Sequence, residues 1–224
     1  MSQKDERKEN YYFKKQRVGL VLVGGFMSLM LVFALSPAMA GLIAQIQNSV
    51  NTARTASLVM KETGPGASGE VSCESKLGAG NSHTCGTINK YGGTNEPLIP
   101  GKPAKETTIK ISNTGDIPAN AFTVKGEACS ASAFAGASYS GAGTNTLCEK
   151  VKVVLKSGAT TIFEGTAKQF QDAQTINLLE KLGKQTINPN DEIPLTFAVS
   201  LDNSADATHQ GLQISQPITW QFGA

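Results

Sequence analysis

Apolar residues occupy every second position from residue 193: Ile193, Leu195, Phe197, Val199 and Leu201, with Thr196, Ala198 and Ser200 between them. Successive side chains of a strand point to opposite faces. The run therefore predicts a strand with one buried and one wetter face, as in an antiparallel sandwich. Pro194 fits such a strand only near its start or on an edge. Thr107, Ile109 and Ile111 alternate with Thr108, Lys110 and Ser112, and Asn113, Thr114, Gly115 and Asp116 make a turn after them. Phe122 and Val124 begin a further strand. Val151, Val153 and Leu155 alternate with Lys152 and Lys156, Ser157-Gly158 ends that run, and Ile162 and Phe163 form a short partner closed by Gly165, so a hairpin is predicted. Ile218, Trp220 and Phe222 against Thr219 and Gln221 predict the last strand, with Trp220 as a core residue. Residues 57–61 predict the first.

Between these strands the pattern weakens. Residues 64–94 and 126–145 are rich in Gly, Ala and Ser and read as long loops. Unstructured loops of that length are unusual in a compact domain unless something ties them. The first holds Cys73 and Cys85, and the second holds Cys129, with Cys148 just after it. An even number of cysteines in an exported chain reads as two disulfides. Three pairings are open. The loop-local one is favoured because each bridge then closes a short polar loop. Zinc sites need close-spaced pairs such as C-x-x-C, which are missing here. Residues 170–182 are the one short helical stretch, and 174–179 reads equally as strand.

The start of the chain has a different pattern. Lys14, Lys15 and Arg17 precede an uncharged apolar run over residues 18–35, followed by Pro37 and the triplet Ala38, Met39, Ala40. A basic segment, an apolar core and a small-x-small signal form a secretory leader, with cleavage expected after Ala40, before Gly41. An uncharged run of eighteen residues also reaches the lower limit for a membrane-spanning helix, so an uncleaved anchor is the alternative. The expected organisation is a leader over residues 1–40, an N-terminal arm over 41–56 and a β-sandwich over 57–224. Export implies recognition by a signal peptidase and contact with membrane only through the leader.

Charge follows the same division. The first 17 residues hold six of the 20 basic and three of the 18 acidic residues, leaving 14 and 15, a net charge of −1. That balance, without clustered Lys or Arg, points away from nucleic acid. Catalytic patterns are missing as well. His83 and His209 are isolated, far from the H-E-x-x-H spacing of zinc peptidases, and both read as solvated loop residues. Asp202, Asn203 and Asp206 suggest a calcium loop, but the central Gly and terminal Glu of an EF-hand are missing, so a solvated turn is expected. No metal, cofactor or catalytic residue is expected. Gly223 and Ala224 follow the last strand with no second apolar segment, so once the leader is cleaved nothing covalent is expected to hold the protein to the cell.

In order along the chain stand Asn48-Ser49-Val50-Asn51-Thr52-Ala53, Ala56-Ser57-Leu58-Val59-Met60, Ile88-Asn89-Lys90-Tyr91-Gly92-Gly93, Leu98-Ile99-Pro100-Gly101, Ile109-Lys110-Ile111-Ser112-Asn113-Thr114-Gly115, Pro194-Leu195-Thr196-Phe197-Ala198-Val199 and Gln216-Pro217-Ile218-Thr219-Trp220-Gln221-Phe222. Together with the leader, these resemble the TasA/camelysin family of secreted Gram-positive proteins, in an actinobacterial-like form. The resemblance implies an all-β, jelly-roll-like antiparallel β-sandwich behind an N-terminal signal or transmembrane helix. It implies export by a dedicated signal peptidase and self-association into extracellular fibres of the biofilm matrix, the N-terminal segment of one subunit completing its neighbour's sheet. Here that segment is the arm after Gly41, with Leu42, Ala44 and Ile46 on one face. The family's cleavage pattern, an aromatic followed by Ser/Asn-Asp, is missing near residues 44–48, and the cysteine loops are not general to the family. The alternatives are a camelysin-like surface metallopeptidase and a monomeric adhesin or glycan-binding module.

Overall fold

The computed structural model describes residues 54–92 and 96–224. The leader, the cleavage residues Ala38, Ala40 and Gly41, and the arm residues Leu42, Ala44 and Ile46 lie outside them. Ala56–Ala224 is one compact unit that holds the entire described core and both disulfides. The fold is all-β and antiparallel, with a few short helices.

The first layer is a six-stranded sheet built of β1 (Met60–Gly66), β2 (Gly69–Glu74), β3 (Lys105–Asn113), β6 (Val151–Ser157), β7 (Thr160–Thr166) and β9 (Glu192–Leu201), in the order β2-β1-β3-β9-β6-β7. The alternation in β9 sets its register. Leu195 and Phe197 are fully buried and pair with Ile109 and Thr107 of β3, and Phe197 also pairs with Leu155 of β6. Pro194 lies near the start of β9, opposite Lys110. The β6–β7 hairpin forms as predicted, with a register shift between Leu155 and Lys156.

The second layer has two pieces. β4 (Ala121–Gly126) lies between β11 (Ile218–Gly223) and the two-residue β8 (Ile176–Asn177), while β5 (Ser130–Ala133) pairs with β10 (Leu212–Ser215). Phe122 and Val124 of β4 join Ile109, Leu155 and Phe197 in one core. The turn after β3 is pinned by Asn113, a fully buried amide with every bond made. Its Nδ2 donates to the carbonyls of Ile117 at 2.8 Å and Ile187 at 3.0 Å, and its Oδ1 accepts from Gly115 N at 3.0 Å. Complete pairing of this kind is what permits a polar side chain in a core.

Several boundaries differ from those the pattern predicts. The first strand runs Met60–Gly66 and not 57–61. Residues 57 and 59 instead bond the turn after β3, Ser57 O accepting from Asp116 N and Val59 O from Thr114 N. Residues 64–94 are not all loop: they contain β2, whose sequence GEVSCE carries little apolar signal. Residues 126–145 contain β5, a strand of Ser and Ala only. Residues 170–182 divide into two helices around β8. The first, α2 (Ala167–Asp172), follows α1 (Leu147–Lys150) in the chain and starts in a capping box of Thr166 and Gln169. The second, α3 (Leu178–Leu182), is capped by Asn177, whose Oδ1 accepts from Leu179 N and Glu180 N, and it ends at Gly183 with φ 62°. Phe170 of α2 stacks 4.6 Å from Phe163 and closes that end of the core. Among the described residues no helix is long and apolar enough to cross a membrane.

Candidate functional site

The four cysteines form two bridges, Cys73–Cys85 and Cys129–Cys148, the loop-local pairing. Bridges of this kind persist in an oxidising environment outside the cytosol. The first ties β2 to the loop that follows it. That loop, residues 75–92, turns inward and lies on the inner face of β1. Ile88 settles over Gly64, where a β-carbon would stand 2.9 Å from the Cγ2 atoms of both Ile88 and Ile109. Glycine at 64 therefore leaves room for the loop.

Period two places Met60, Glu62 and Gly64 on that inner face, so a carboxylate points into the core layer. Glu62 is 7% exposed. Lys90, from the inward loop, brings its Nζ to 2.7 Å from Glu62 Oε1, with only 11% of its side chain exposed. A buried carboxylate is tolerable only with such a partner. The next residue, Tyr91, packs against Phe197 with ring centroids 6.3 Å apart. Its hydroxyl donates to Gln216 Oε1 at 2.7 Å, and burial pushes the phenol pKa up. Gln216 Nε2 in turn donates to the carbonyls of Glu127 and Ala167, each at 2.9 Å. One chain of hydrogen bonds thus joins the loop to the second layer at the junction of β10 and β11.

Between this loop and β10–β11 lies a long groove of about 1710 Å³. Small-molecule pockets are typically about 300–1,000 Å³. One wall carries Cys73, Cys85, Ile88, Lys90 and Tyr91, and a lip is formed by Pro97, Leu98 and Ile99, of which Ile99 is 52% exposed. The other wall is continuous: every residue from His209 to Phe222 lines the groove. A cavity on one face of a strand meets alternate side chains, so unbroken lining means that the groove follows the strand's edge. Strand pairing agrees. Among the described residues β11 pairs only with β4 and β10 only with β5, which leaves the groove-side edges of both without a partner strand. Trp220 contacts Phe122 and Phe197, each with centroids 6.2 Å apart, yet it is half-buried and lines the groove. It sits at a core edge and not in a closed core.

The other candidates are held by ordinary structural contacts. Asp202 Oδ2 meets Lys152 Nζ at 2.7 Å, and its Oδ1 accepts from Ser204 N and Oγ at 2.8 and 2.7 Å. The Lys152 hydrogen bond, then those from Ser204, hold its carboxyl well below the usual range. An ammonium thus sits where a calcium ion would need this carboxylate. Asn203 is exposed. Asp206 is lowered first by the Thr208 hydroxyl and then by Thr208 N.

His209 differs from the solvated residue its loop position predicts: its side chain is 6% exposed. Its Nε2 lies 3.0 Å from Thr146 Oγ1, and its Nδ1 lies 3.0 Å from Asp206 Oδ1. An Asp–His–Thr line has the order of a nucleophile relay. In such relays the acid is buried, whereas the Asp206 side chain is 66% exposed and shares its oxygen with Thr208. Asp206 and His209 also form the capping box of the turn Ala207–His209. The contacts therefore staple a loop. His83 is exposed on the groove wall. Among the described residues no three His, Cys, Asp or Glu side chains come together as a metal site.

Searches of protein-family models and of curated proteins find no match to this chain. Sequence reasoning missed Glu62, Lys90, Tyr91 and Gln216. The available signal was Glu62, a charge on the apolar phase of Met60, Glu62 and Gly64. It became visible only once β1 was known to start at Met60.

Proposed function

We propose that this protein is an exported, non-catalytic structural subunit that self-associates into extracellular fibres, a donated N-terminal strand of one copy pairing with the open edge of the next. The observation that supports this most is the unbroken groove wall along β10 and β11. An edge strand offers a row of unpaired N–H and C=O groups, and an extended segment adds to it by main-chain bonds while its side chains fill alternate pockets. We read the two antiparallel layers as a jelly-roll-like sandwich lacking one strand on this side. The segment after Gly41, with Leu42, Ala44 and Ile46 in one phase, suits the missing strand. The leader would hold this segment at the membrane until cleavage near Ala38 and Ala40 frees it, and the two disulfides suit the oxidising exterior.

The test is a truncation. Deleting residues 41–48 from the secreted chain is expected to leave a folded monomer that forms no fibres in electron micrographs, while the intact mature chain polymerises. Assembly of the truncated chain at the wild-type rate would reject strand donation. The groove also carries Tyr91, Phe134 and Trp220, ring faces that a sugar could stack on. A monomer whose Trp fluorescence responds to oligosaccharides, without fibres, would favour a glycan-binding module. Chelator-sensitive proteolysis by the purified chain would favour the metallopeptidase reading.

A further inference from the structure

Two buried side-chain polar atoms among the described residues make no hydrogen bond: Trp220 Nε1 and Glu62 Oε1. Both residues line the groove. Glu62 Oε1 has the Lys90 ammonium 2.7 Å away, so of the two Trp220 Nε1 is the atom left without a partner. Native structures rarely leave such groups bare, because a desolvated donor or acceptor without a partner is costly. In contrast, the nearby Tyr91 and Gln216 are bonded to each other and onward. Trp220 Nε1 is thus a donor on the groove wall with no acceptor among the described residues.

The chain carries a matching pattern. Period two from Leu42 places Leu42, Ala44, Ile46, Asn48 and Val50 on one face of an extended segment, four apolar residues and one carboxamide. On β11, Ile218, Trp220 and Phe222 share the half-buried face. A residue directly opposite on an added strand points to the same face, with Cβ atoms about 4.5–5.5 Å apart. If Asn48 stands opposite Trp220, then Ile46 and Val50 stand opposite Ile218 and Phe222, whichever way the added strand runs. Every apolar residue meets an apolar one, and the single amide meets the single indole.

We propose that Asn48 sets the register of strand addition, its side-chain carbonyl accepting the hydrogen bond that Trp220 Nε1–H lacks. This rests on the reading of the groove as a strand acceptor. A slip of two residues would bring Ile46 or Val50 against the indole and bury the amide beside Ile218 or Phe222, leaving both polar groups bare. One polar position in an apolar seam fixes alignment in just this way in coiled coils. A carboxamide also suits the spot better than a charged side chain, since Glu62 and Lys90 already cancel and a further buried charge would stand alone.

The chain has one tryptophan, so its indole N–H gives a single side-chain resonance that reports on this contact alone. The experiment uses residues 54–224, which contain the compact unit Ala56–Ala224 with the entire described core and both disulfides, labelled with ¹⁵N and titrated with a peptide of residues 41–53. The native peptide is expected to shift the β11 amides and to slow exchange of the indole N–H at least about tenfold. The Asn48→Leu peptide is expected to shift the β11 amides and leave indole exchange as it is in the protein without peptide. Trp220→Phe protein is expected to bind the two peptides alike. Equal protection of the indole by the Asn48→Leu peptide would overturn the assignment, as would a native peptide that moves β11 but not the indole. A native peptide that moves no β11 resonance would instead overturn the strand-acceptor reading itself.

Discussion

β9 and β11 carry the same pattern and have opposite surroundings. Both alternate aliphatic and aromatic residues with polar ones, Ile193 to Leu201 in the first and Ile218 to Phe222 in the second. β9 is paired on both sides, with β3 and β6, and its inward residues Leu195, Phe197 and Val199 are at most 1% exposed. Among the described residues β11 is paired on one side, and Ile218, Trp220 and Phe222 are only half-buried along the groove. Alternation specifies which face turns inward. It does not say whether a neighbour arrives to cover the edge. The difference between the strands is one of pairing: among the described residues one side of β11 has no partner strand.

If β9 is a closed core strand and β11 an open one, truncation should separate them. Phe197→Ala is expected to cost about 3–5 kcal/mol, the range for deleting a fully buried aromatic ring. Phe222→Ala should cost the monomer about 1–2 kcal/mol, because less area leaves water there on folding. Denaturant unfolding of the two variants gives both numbers, and equal losses would erase the distinction between the strands.

A second test concerns the groove floor. Lys90→Met leaves Glu62 as a buried charge without a partner and should cost about 3 kcal/mol. Adding Glu62→Met should restore most of that loss. If the single variant is as stable as the parent, the pair is more hydrated than its geometry indicates. The same denaturation experiment decides.

The smallest effect concerns acid. The carboxyl pKa values of Asp202 and Asp206 are lowered in the folded state, Asp202 chiefly by Lys152 and Asp206 chiefly by Thr208. A lowered folded pKa contributes stability that is complete above the unfolded value, near pH 4, and is lost as pH falls through the folded one. The protection factors of amides in residues 201–210, which remove the intrinsic pH dependence of exchange, should therefore be unchanged from pH 7 to 5 and fall below about pH 4, while β9 stays protected. Loosening of this loop at pH 6 would contradict the assignment.

Much of the frame was legible because its residues obey period two without interruption. β3, β6, β9 and β11 follow from Ile109 and Ile111, Val151 to Leu155, Ile193 to Leu201 and Ile218 to Phe222. β2 and β5 were not legible. Gly69 to Glu74 and Ser130 to Ala133 carry almost no apolar signal and become strands through their partners, β1 and β10. The burial of His209 was hidden for a similar reason: Thr146, which holds its Nε2, is 63 residues away in sequence. The groove was the least legible part. Its floor joins Glu62 to Lys90 and Tyr91 to Gln216, contacts that neither periodicity nor spacing encodes. The arm residues Leu42, Ala44 and Ile46 lie outside the described structure, and their role rests on the chemistry of the edge they would meet.

The central claim is that the edge of β11 is empty in the monomer and filled by a strand from another copy in the assembly. Hydrogen exchange of the β11 amides tests it most directly, with β9 as the internal reference. In the chain lacking residues 41–48, the groove-side amides of Ile218–Gly223 are expected to exchange quickly while β9 is fully protected. In fibres of the intact mature chain, both strands are expected to be protected alike. β11 amides that exchange as fast in the fibre as in the truncated monomer would show that assembly uses some other surface.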